Sequence, residues 1–550
     1  MKNEEKKPMR EAIDMPPEFA EIGRPMDPRD WPGEAPVISD DEIAAEYEAE
    51  VVVVGGGHAG LQCALAAAES GASVIVVEKK PEQGMTWMGE QIGTFNSKLL
   101  TERGFGGYDL DEIIEEFCKC NAYYINRALI AKYVKNSGEL LDHWASLVPA
   151  DSTVLNEDQC NVHSAVAGTK YPIVRGGYKT WAATLQFRGD PITTRDVRYR
   201  VNQFSRLPEM CRYAMAESMR LGAEWKFGHT AAVLTKEAGR VTGVIAKDAD
   251  GKYVRIKASR GVALTLGCFG DKGFKLGVWA GGHMDNTPLT VYQRRVPGTR
   301  GGPPGGSSAF GQPSFIRLNA HGKRYCNECV PYGNAFERQP AGISCWVTDR
   351  KWLEELKTLG LQHGNADFGM QIYIDQVIED MSHVVEHGRE GYGIRSGGLS
   401  EREQSKMYGA ETLEELCDIF GYEGEARENF FKSIERYNEM CRNGKDEDFG
   451  KDKECLFTVD EGPFYGVFSV SAPGGEWVRQ EQISNGVNGL ATDDELHVTD
   501  GDNEPIPGLW CAGANLGYMH SVFYSTPCGG NYIGMAATLG RQLGFAIAGS

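Results

Sequence analysis

Gly55, Gly57, Gly60 and Glu78 are the residues whose types and spacing carry chemistry most clearly. The glycines stand as G-x-G-x-x-G within Gly55-Gly-Gly-His-Ala-Gly60, and the acid follows 18 positions later. The set suits a dinucleotide. Gly55 permits a tight turn, Gly57 lets backbone approach a pyrophosphate, and Gly60 lets a helix pack closely on a strand. The helix start adds N–H donors and a partial positive charge. A carboxylate about 20 residues on suits a ribose diol and disfavours a 2′-phosphate. The elements that must position this set are legible around it. Val51–Val54 reads as a buried parallel strand, Leu61–Ser70 as an alanine-rich helix, and Val74–Glu78 as a second strand.

Other chemistry is less well supplied. The 14 cysteines are scattered, with Cys326-Asn-Glu-Cys329 the single C-x-x-C and Cys118-Lys-Cys120 alone. Zinc and iron–sulfur sites need about four placed ligands, so no metal is expected. His383 and His387 fall on a solvated helix face and read as structural. The net charge of −20 argues against nucleic acid or an anionic membrane as partner. No run of 18 apolar residues suggests a membrane span, and the opening residues show no apolar h-region. The expectation is a cytoplasmic protein with reduced thiols.

At 550 residues, more than one core is required. Residues 1–45 are charged and proline-rich and read as a surface arm or disorder. Helical spacing recurs over Val134–Leu147 and Met210–Leu221. Short strands follow at Ala231–Leu234, Val241–Ala246 and Val254–Lys257, then a buried strand at Gly261–Gly267. A Gly/Pro-rich crossing at Pro297–Ser308 opens a separate α+β unit, with helices at Glu411–Ile419 and Ala426–Met440. Strand character returns at Pro463, and the chain closes with Ile506–Gly513 and a final helix over Gly529–Ala548. The expected division is an arm (1–45), a first nucleotide-binding part (46–285), a cap (286–462) and a second nucleotide-binding part (463–550).

From residue 46 onward the chain resembles the fumarate reductase/succinate dehydrogenase flavoprotein superfamily. It is most similar to the soluble branch with fumarate reductases, urocanate reductases and 3-ketosteroid dehydrogenases. The matching stretches are Val51–Glu78, Gly261–Asp285, Gly322-Lys-Arg-Tyr-Cys-Asn-Glu328, Glu411–Leu416 with Glu435-Arg-Tyr-Asn438, and Pro505–Gly513. The resemblance implies an α/β fold: a glutathione-reductase-like FAD-binding Rossmann domain interrupted by an α+β capping domain. It places Gly55, Gly57, Ala59 and Gly60 at the pyrophosphate and Glu78 on the adenosine ribose, with Lys79 also among the cofactor-binding residues. Thr86, Trp87 and Gly93 would run past the isoalloxazine and Ala232 near the adenine. Asp271, Asn515, Tyr532 and Ile533 complete the cofactor set. No histidine occupies the position that links FAD in the respiratory enzymes, so the FAD is expected to be non-covalent.

Departures from the family bear on the substrate. The charged positions that hold and protonate a dicarboxylate fall on Tyr332, Pro527, about Asn485 and near Ser308. Burying carboxylates without cationic partners costs several kcal/mol per ion. Asn327-Glu-Cys-Val-Pro-Tyr332 instead resembles the N-E-S-x-P-Y of 3-ketosteroid dehydrogenases, which implies Tyr332 as the proton-transfer group. Gly530 would hold the substrate carbonyl with a hydroxyl, for which Tyr524 is the candidate. Trp87, Tyr518, Phe523, Tyr524 and Tyr532 could form an apolar aromatic pocket.

The expected function is FAD-dependent oxidation or reduction of a CH–CH/C=C bond beside a carbonyl, on a hydrophobic ring ketone or enone. An external carrier would supply or take the electrons. An acrylate-, urocanate- or fumarate-type reductase using Arg294, Arg295 and Arg300 is the alternative. A flavin-binding electron-carrier subunit is the alternative of another class.

Overall fold

The computed structural model describes residues 32–85, 87, 89, 91–155, 160–162, 173–175, 178–187, 206–267, 273–285, 315–329, 339–340, 344–356, 371–394, 405–469, 488–521, 525 and 527–549. Its first strand, β1 (Ile43–Val54), pairs in parallel with β2 (Val74–Glu78), with Val51–Val54 opposite Val74–Val77. Val51 to Val54 are fully buried, as a strand covered on both faces requires. The helix α1 (His58–Glu69) connects them, and ten of its residues are buried. Three further strands extend the parallel sheet: β3 (Glu224–Phe227), β4 (Tyr253–Leu264) and β5 (Pro505–Cys511). The order is β5-β4-β1-β2-β3, with His497–Thr499 antiparallel on the outer edge. Thr230–Glu237 and Arg240–Lys247 form an antiparallel layer on β4.

Two sequence expectations need correction here. The arm does not run to residue 45, because Ile43 and Ala45 already pair with Tyr253 and Val254 in β1. Nor are Val254–Lys257 and Gly261–Gly267 separate strands: β4 is continuous from Tyr253 to Leu264. In both places the exposed, charge-bearing half of a long strand hides its continuity with the buried half. The arm's described end rests on the helix Phe274–Trp279, where Trp279 Nε1 donates to Gly33 O at 2.8 Å.

A second sheet takes the antiparallel order Ile316–Asn319, Ser344–Thr348, Phe464–Ser469, Ser405–Ala410, Tyr392–Ile394. It runs on to Ser469, past position 462 where the sequence reading closed the cap. One apolar cluster is built on Phe315, Trp346 and Met381, and a second on Leu318, Phe430 and Tyr437. The helix Leu413–Phe420 starts on a Thr412/Glu415 capping box and stops at Gly421 (φ +74°).

Candidate active site

Backbone geometry explains each glycine of the turn. Gly55 holds φ +102°, and a Cβ there would lie 2.5 Å from Thr265 O. A Cβ on Gly60 would meet Gly55 O at 1.8 Å, so α1 can sit this close only as glycine. Gly57 differs. It is the N-cap of α1 at φ −66°, and a Cβ there would find nothing within 4 Å. The helix starts with no side-chain cap and no acid in its first turn. The N–H groups of Ala59 and Gly60 in its first turn thus face no side-chain cap and suit an anion arriving through the space beside Gly57.

Glu78 ends β2 with its side chain turned back onto this turn. Oε2 accepts from Gly56 N and Oε1 from Lys80 N, each at 2.8 Å. Two backbone bonds fix the carboxylate and leave lone pairs for a diol. Trp87 Nε1 donates to Gly56 O at 3.1 Å, closing the turn from the other side. Lys79 is exposed beside Glu78. Ala232 is half-buried on the strand that begins beside Glu78, where His229 N donates to Glu78 O at 2.9 Å. Ala59 is buried in the first turn of α1.

The last helix, α2 (Asn531–Gly549), brings a second group of expected residues together. Gly93 N donates to Gly530 O at 2.9 Å. Ile533 Cδ1 would be 2.3 Å from a Cβ on Gly89. Gly89 and Gly93 therefore lie against the start of α2. Gly530 holds φ +67°, and a Cβ there would strike the Gln91 backbone at 2.7 Å. Asn515 is fully buried and accepts from Leu266 N, while its Nδ2 has no hydrogen-bond partner among the described residues. A buried orphan donor is a group awaiting a ligand or water. An uncapped helix start, a fixed carboxylate one strand away and this donor together fit a dinucleotide cofactor.

Of the five residues of the expected aromatic pocket, Trp87, Tyr518 and Tyr532 are described, and each has its own contacts. Trp87 serves the glycine turn, Tyr518 packs on Tyr124 at 6.0 Å, and Tyr532 stacks on His520 at 6.0 Å and 23°. His520 is a residue the sequence reading missed. Burial pushes its pKa down to about 3, so the ring is neutral at ordinary pH. It lines a small cavity with Gly513, Leu516, Met519, Tyr532 and Met535. The available signal was a lone histidine in a glycine- and aromatic-rich loop. Tyr332, Tyr524, Phe523, Thr86, Asp271, Arg294, Arg295 and Arg300 lie outside the described residues. Among the described residues, no group of three or more potential metal ligands occurs. No described helix is long and apolar enough to cross a membrane.

The segment leading to Tyr332 is anchored by a buried ionic network, also missed from sequence. Arg324 grips Glu328 through Nε and Nη2 at 2.9 and 2.8 Å, and Asp446 at 3.0 and 2.7 Å. Lys451 Nζ lies 3.5 Å from Glu328 and donates to Tyr437 OH at 2.7 Å. Burial pushes the Glu328 carboxyl up, but Lys451 and Arg324 outweigh it and hold it below the usual range. Two cations thus balance two carboxylates. Glu355 is the odd acid out, 4.0 Å from Lys451, and burial pushes it up to about 8. On either side of Glu328, Asn327 Nδ2 donates to Gly450 O and Cys329 N to Asn327 Oδ1.

The family model described as "FAD binding domain" matches residues 50–531. The vinyl phenol reductase of Lactiplantibacillus plantarum is 23% identical over 518 residues, covering 91% of this chain and 97% of that protein. The 4-oxocyclohexanecarboxylate 2-dehydrogenase of Sinomonas cyclohexanicum is 22% identical, covering 91% and 93%. Among solved structures, the 3-ketosteroid-Δ4-(5α)-dehydrogenase of Rhodococcus jostii RHA1 aligns with TM-score 0.60 and 18% identity, over 94% of this chain and 99% of that one. A flavocytochrome c3 fumarate reductase in its open conformation aligns with TM-score 0.55 and 18% identity, over 92% and 79%. These structural likenesses establish the fold.

Proposed function

The chain belongs to the FAD binding domain family, and from that premise we propose that it reduces, or in reverse forms, a double bond beside a carbonyl in a hydrophobic ring compound. At the coarser level it is an FAD-dependent oxidoreductase acting on C=C or CH–CH bonds. When bound, FAD supplies a hydride donor or acceptor at N5 of its ring. Glu78 and the Gly55–Gly60 turn hold the nucleotide end, and Asn515, Tyr532 and Ile533 border its other end. The absence of a histidine at the family's linking position supports non-covalent FAD. A flavin that leaves with the supernatant when the protein is denatured would agree with this, and one that stays on the chain would not.

The observation that carries the substrate reading is the Gly529–Gly530 peptide. Thr184 Oγ1 donates to Gly529 O at 2.5 Å, and a trans peptide points its N–H opposite its C=O. The Gly530 N–H finds no partner among the described residues. It is a fixed donor pointing away from the Thr184 hydroxyl, suited to a carbonyl oxygen that gains charge. Tyr524, which precedes it in the same loop, supplies the second donor. Tyr332 moves the proton at the carbon next to the hydride carbon, positioned by the Glu328 network. The names of two relatives, a vinyl phenol reductase and a ring-ketone dehydrogenase, support a conjugated ring substrate. Electrons pass to or from an external carrier, since no second G-x-G-x-x-G unit was read in the sequence.

A carboxylate-activated double bond is the second reading, favoured by a fumarate reductase of Shewanella frigidimarina that is 23% identical over 90% of this chain. Pro527 at the family's arginine position weighs against it. Replacing Tyr332 by Phe decides the proton-transfer role. The variant is expected to keep FAD and lose turnover by about two to four orders of magnitude, the usual worth of positioned acid–base catalysis. Unchanged turnover would remove Tyr332 from the mechanism.

A further inference from the structure

We infer that Thr184 is a positioning residue that aims the Gly530 N–H at the substrate oxygen, an inference that rests on the carbonyl-binding reading of that loop. Thr184 begins the strand Thr184–Phe187 and lies opposite Gly93 of the strand Gln91–Gly93. The two strands hold the glycine pair jointly. Thr184 Oγ1 takes Gly529 O at 2.5 Å, while Gly93 N takes Gly530 O at 2.9 Å. A third tie comes from Trp181 N to Pro527 O at 2.7 Å. Thr184 is 1% exposed, so its hydroxyl serves this one carbonyl in a place water does not reach freely.

The consequence follows from peptide planarity. Rotating the Gly529–Gly530 peptide away from Thr184 turns the Gly530 N–H away from the ligand by the same angle. Gly530 cannot resist such a rotation through a side chain of its own, because φ +67° and the Gln91 backbone exclude one. The threonine hydroxyl is therefore the group that locks the donor's direction. It acts through the peptide and does not touch substrate.

The test compares Thr184→Val, which keeps the shape and deletes the hydroxyl, with Thr184→Ser, which keeps the hydroxyl. Each FAD-loaded variant is reduced anaerobically and reoxidised with cyclohex-2-enone, 4-androstene-3,17-dione or ferricyanide, the last having no carbonyl. Loss of a positioned oxyanion donor costs about 100-fold in rate. Thr184→Val is expected to slow enone reoxidation by about 10- to 100-fold and leave ferricyanide reoxidation unchanged, and Thr184→Ser to restore the enone rate. An unchanged enone rate in Thr184→Val, or equal slowing with both acceptor types, would overturn the inference. If the valine variant comes out without FAD, Thr184→Ala, which adds no methyl against the glycine carbonyl, is read by the same criteria. Failure of the underlying reading is visible separately: a wild-type enzyme that no enone reoxidises refutes the carbonyl site, and this inference with it.

Discussion

Gly57 and Gly60 should separate binding from folding when each is changed to alanine. At Gly60 the new methyl carbon would sit 1.8 Å from Gly55 O and 2.6 Å from Thr265 Oγ1. Both lie in the packed junction of β1, β4 and α1, so relief requires moving the helix. Overpacking of that kind costs about 1–3 kcal/mol or more in the apoprotein. At Gly57 the backbone (φ −66°, ψ −172°) is one that alanine adopts, and the methyl enters open space. Apoprotein stability should then stay within about 0.5 kcal/mol of the parent. In the cofactor site proposed above, that open space receives the pyrophosphate beside the amides of α1. Losing one charge-assisted hydrogen bond there costs about 1.5–3 kcal/mol, a 10- to 150-fold weaker FAD affinity. Denaturant unfolding of the apoproteins and FAD titration by flavin fluorescence report the two quantities independently. With FAD at 100 times the parental Kd, a 100-fold weaker Gly57→Ala should forfeit about 2.3 kcal/mol of ligand-linked stability. Parental FAD affinity in Gly57→Ala, or apoprotein losses equal at both positions, would refute the assignment of one glycine to the ligand and the other to the fold.

The buried network around Glu328 and Lys451 offers a pH prediction. Glu355 has a folded pKa of about 8 against the usual 4.5, so the native state binds more protons between those values and stability falls as pH rises through them. Glu355→Gln, neutral throughout, should flatten that slope by up to about 1.4 kcal/mol per pH unit, measured by urea unfolding from pH 5 to 8.5. An unaltered slope would place the titration elsewhere. Glu328→Ala removes one member of a fully buried network and leaves Arg324 and Lys451 undercompensated. A loss of about 3–5 kcal/mol in unfolding free energy is expected, and a loss below 1 kcal/mol would contradict the network's role in holding the segment before Tyr332. Trp87→Phe deletes the donor to Gly56 O and leaves a smaller ring in a buried place, and about 1–3 kcal/mol or more of stability should go with it; no loss would mean that this bond does not hold the turn.

The parts of this fold that were legible in the sequence are those whose signal is local. The turn Gly55–Gly60, the valine strands and the acid of Glu78 declare themselves within 30 residues, and the structure brings them together as read. Strand continuity was hidden where half a strand is exposed: Glu46 and Glu48 carry no strand signal until Ala45–Ala49 is seen paired with Val254–Ala258, and Lys257 reads as a strand end although the strand runs on to Leu264. Residues that act across the chain had no local signature at all. Thr184 meets Gly529 over 345 positions, and Arg324 meets Asp446 over 122. Asn121, fully buried at a helix end, ties Ser521 N and Ser525 Oγ from some 400 positions away. A threonine in an apolar stretch or an asparagine after a cysteine carries no pattern that predicts such a partner. Tyr332 and Tyr524 were reached through family motifs, whereas the supports of the segments that carry them could be seen only in three dimensions.

Anaerobic reoxidation of the reduced holoenzyme tests the central claim most directly. The flavin absorbance is followed after mixing with 4-vinylphenol, cyclohex-2-enone, 4-androstene-3,17-dione, fumarate or urocanate. Recovery of the oxidised spectrum within seconds with a ring enone, and none with 4-vinylphenol, which has no carbonyl, or with fumarate or urocanate, is the predicted result. Recovery with the carboxylates alone would contradict it, and would shift the substrate anchor from the Gly530 N–H to the cap arginines.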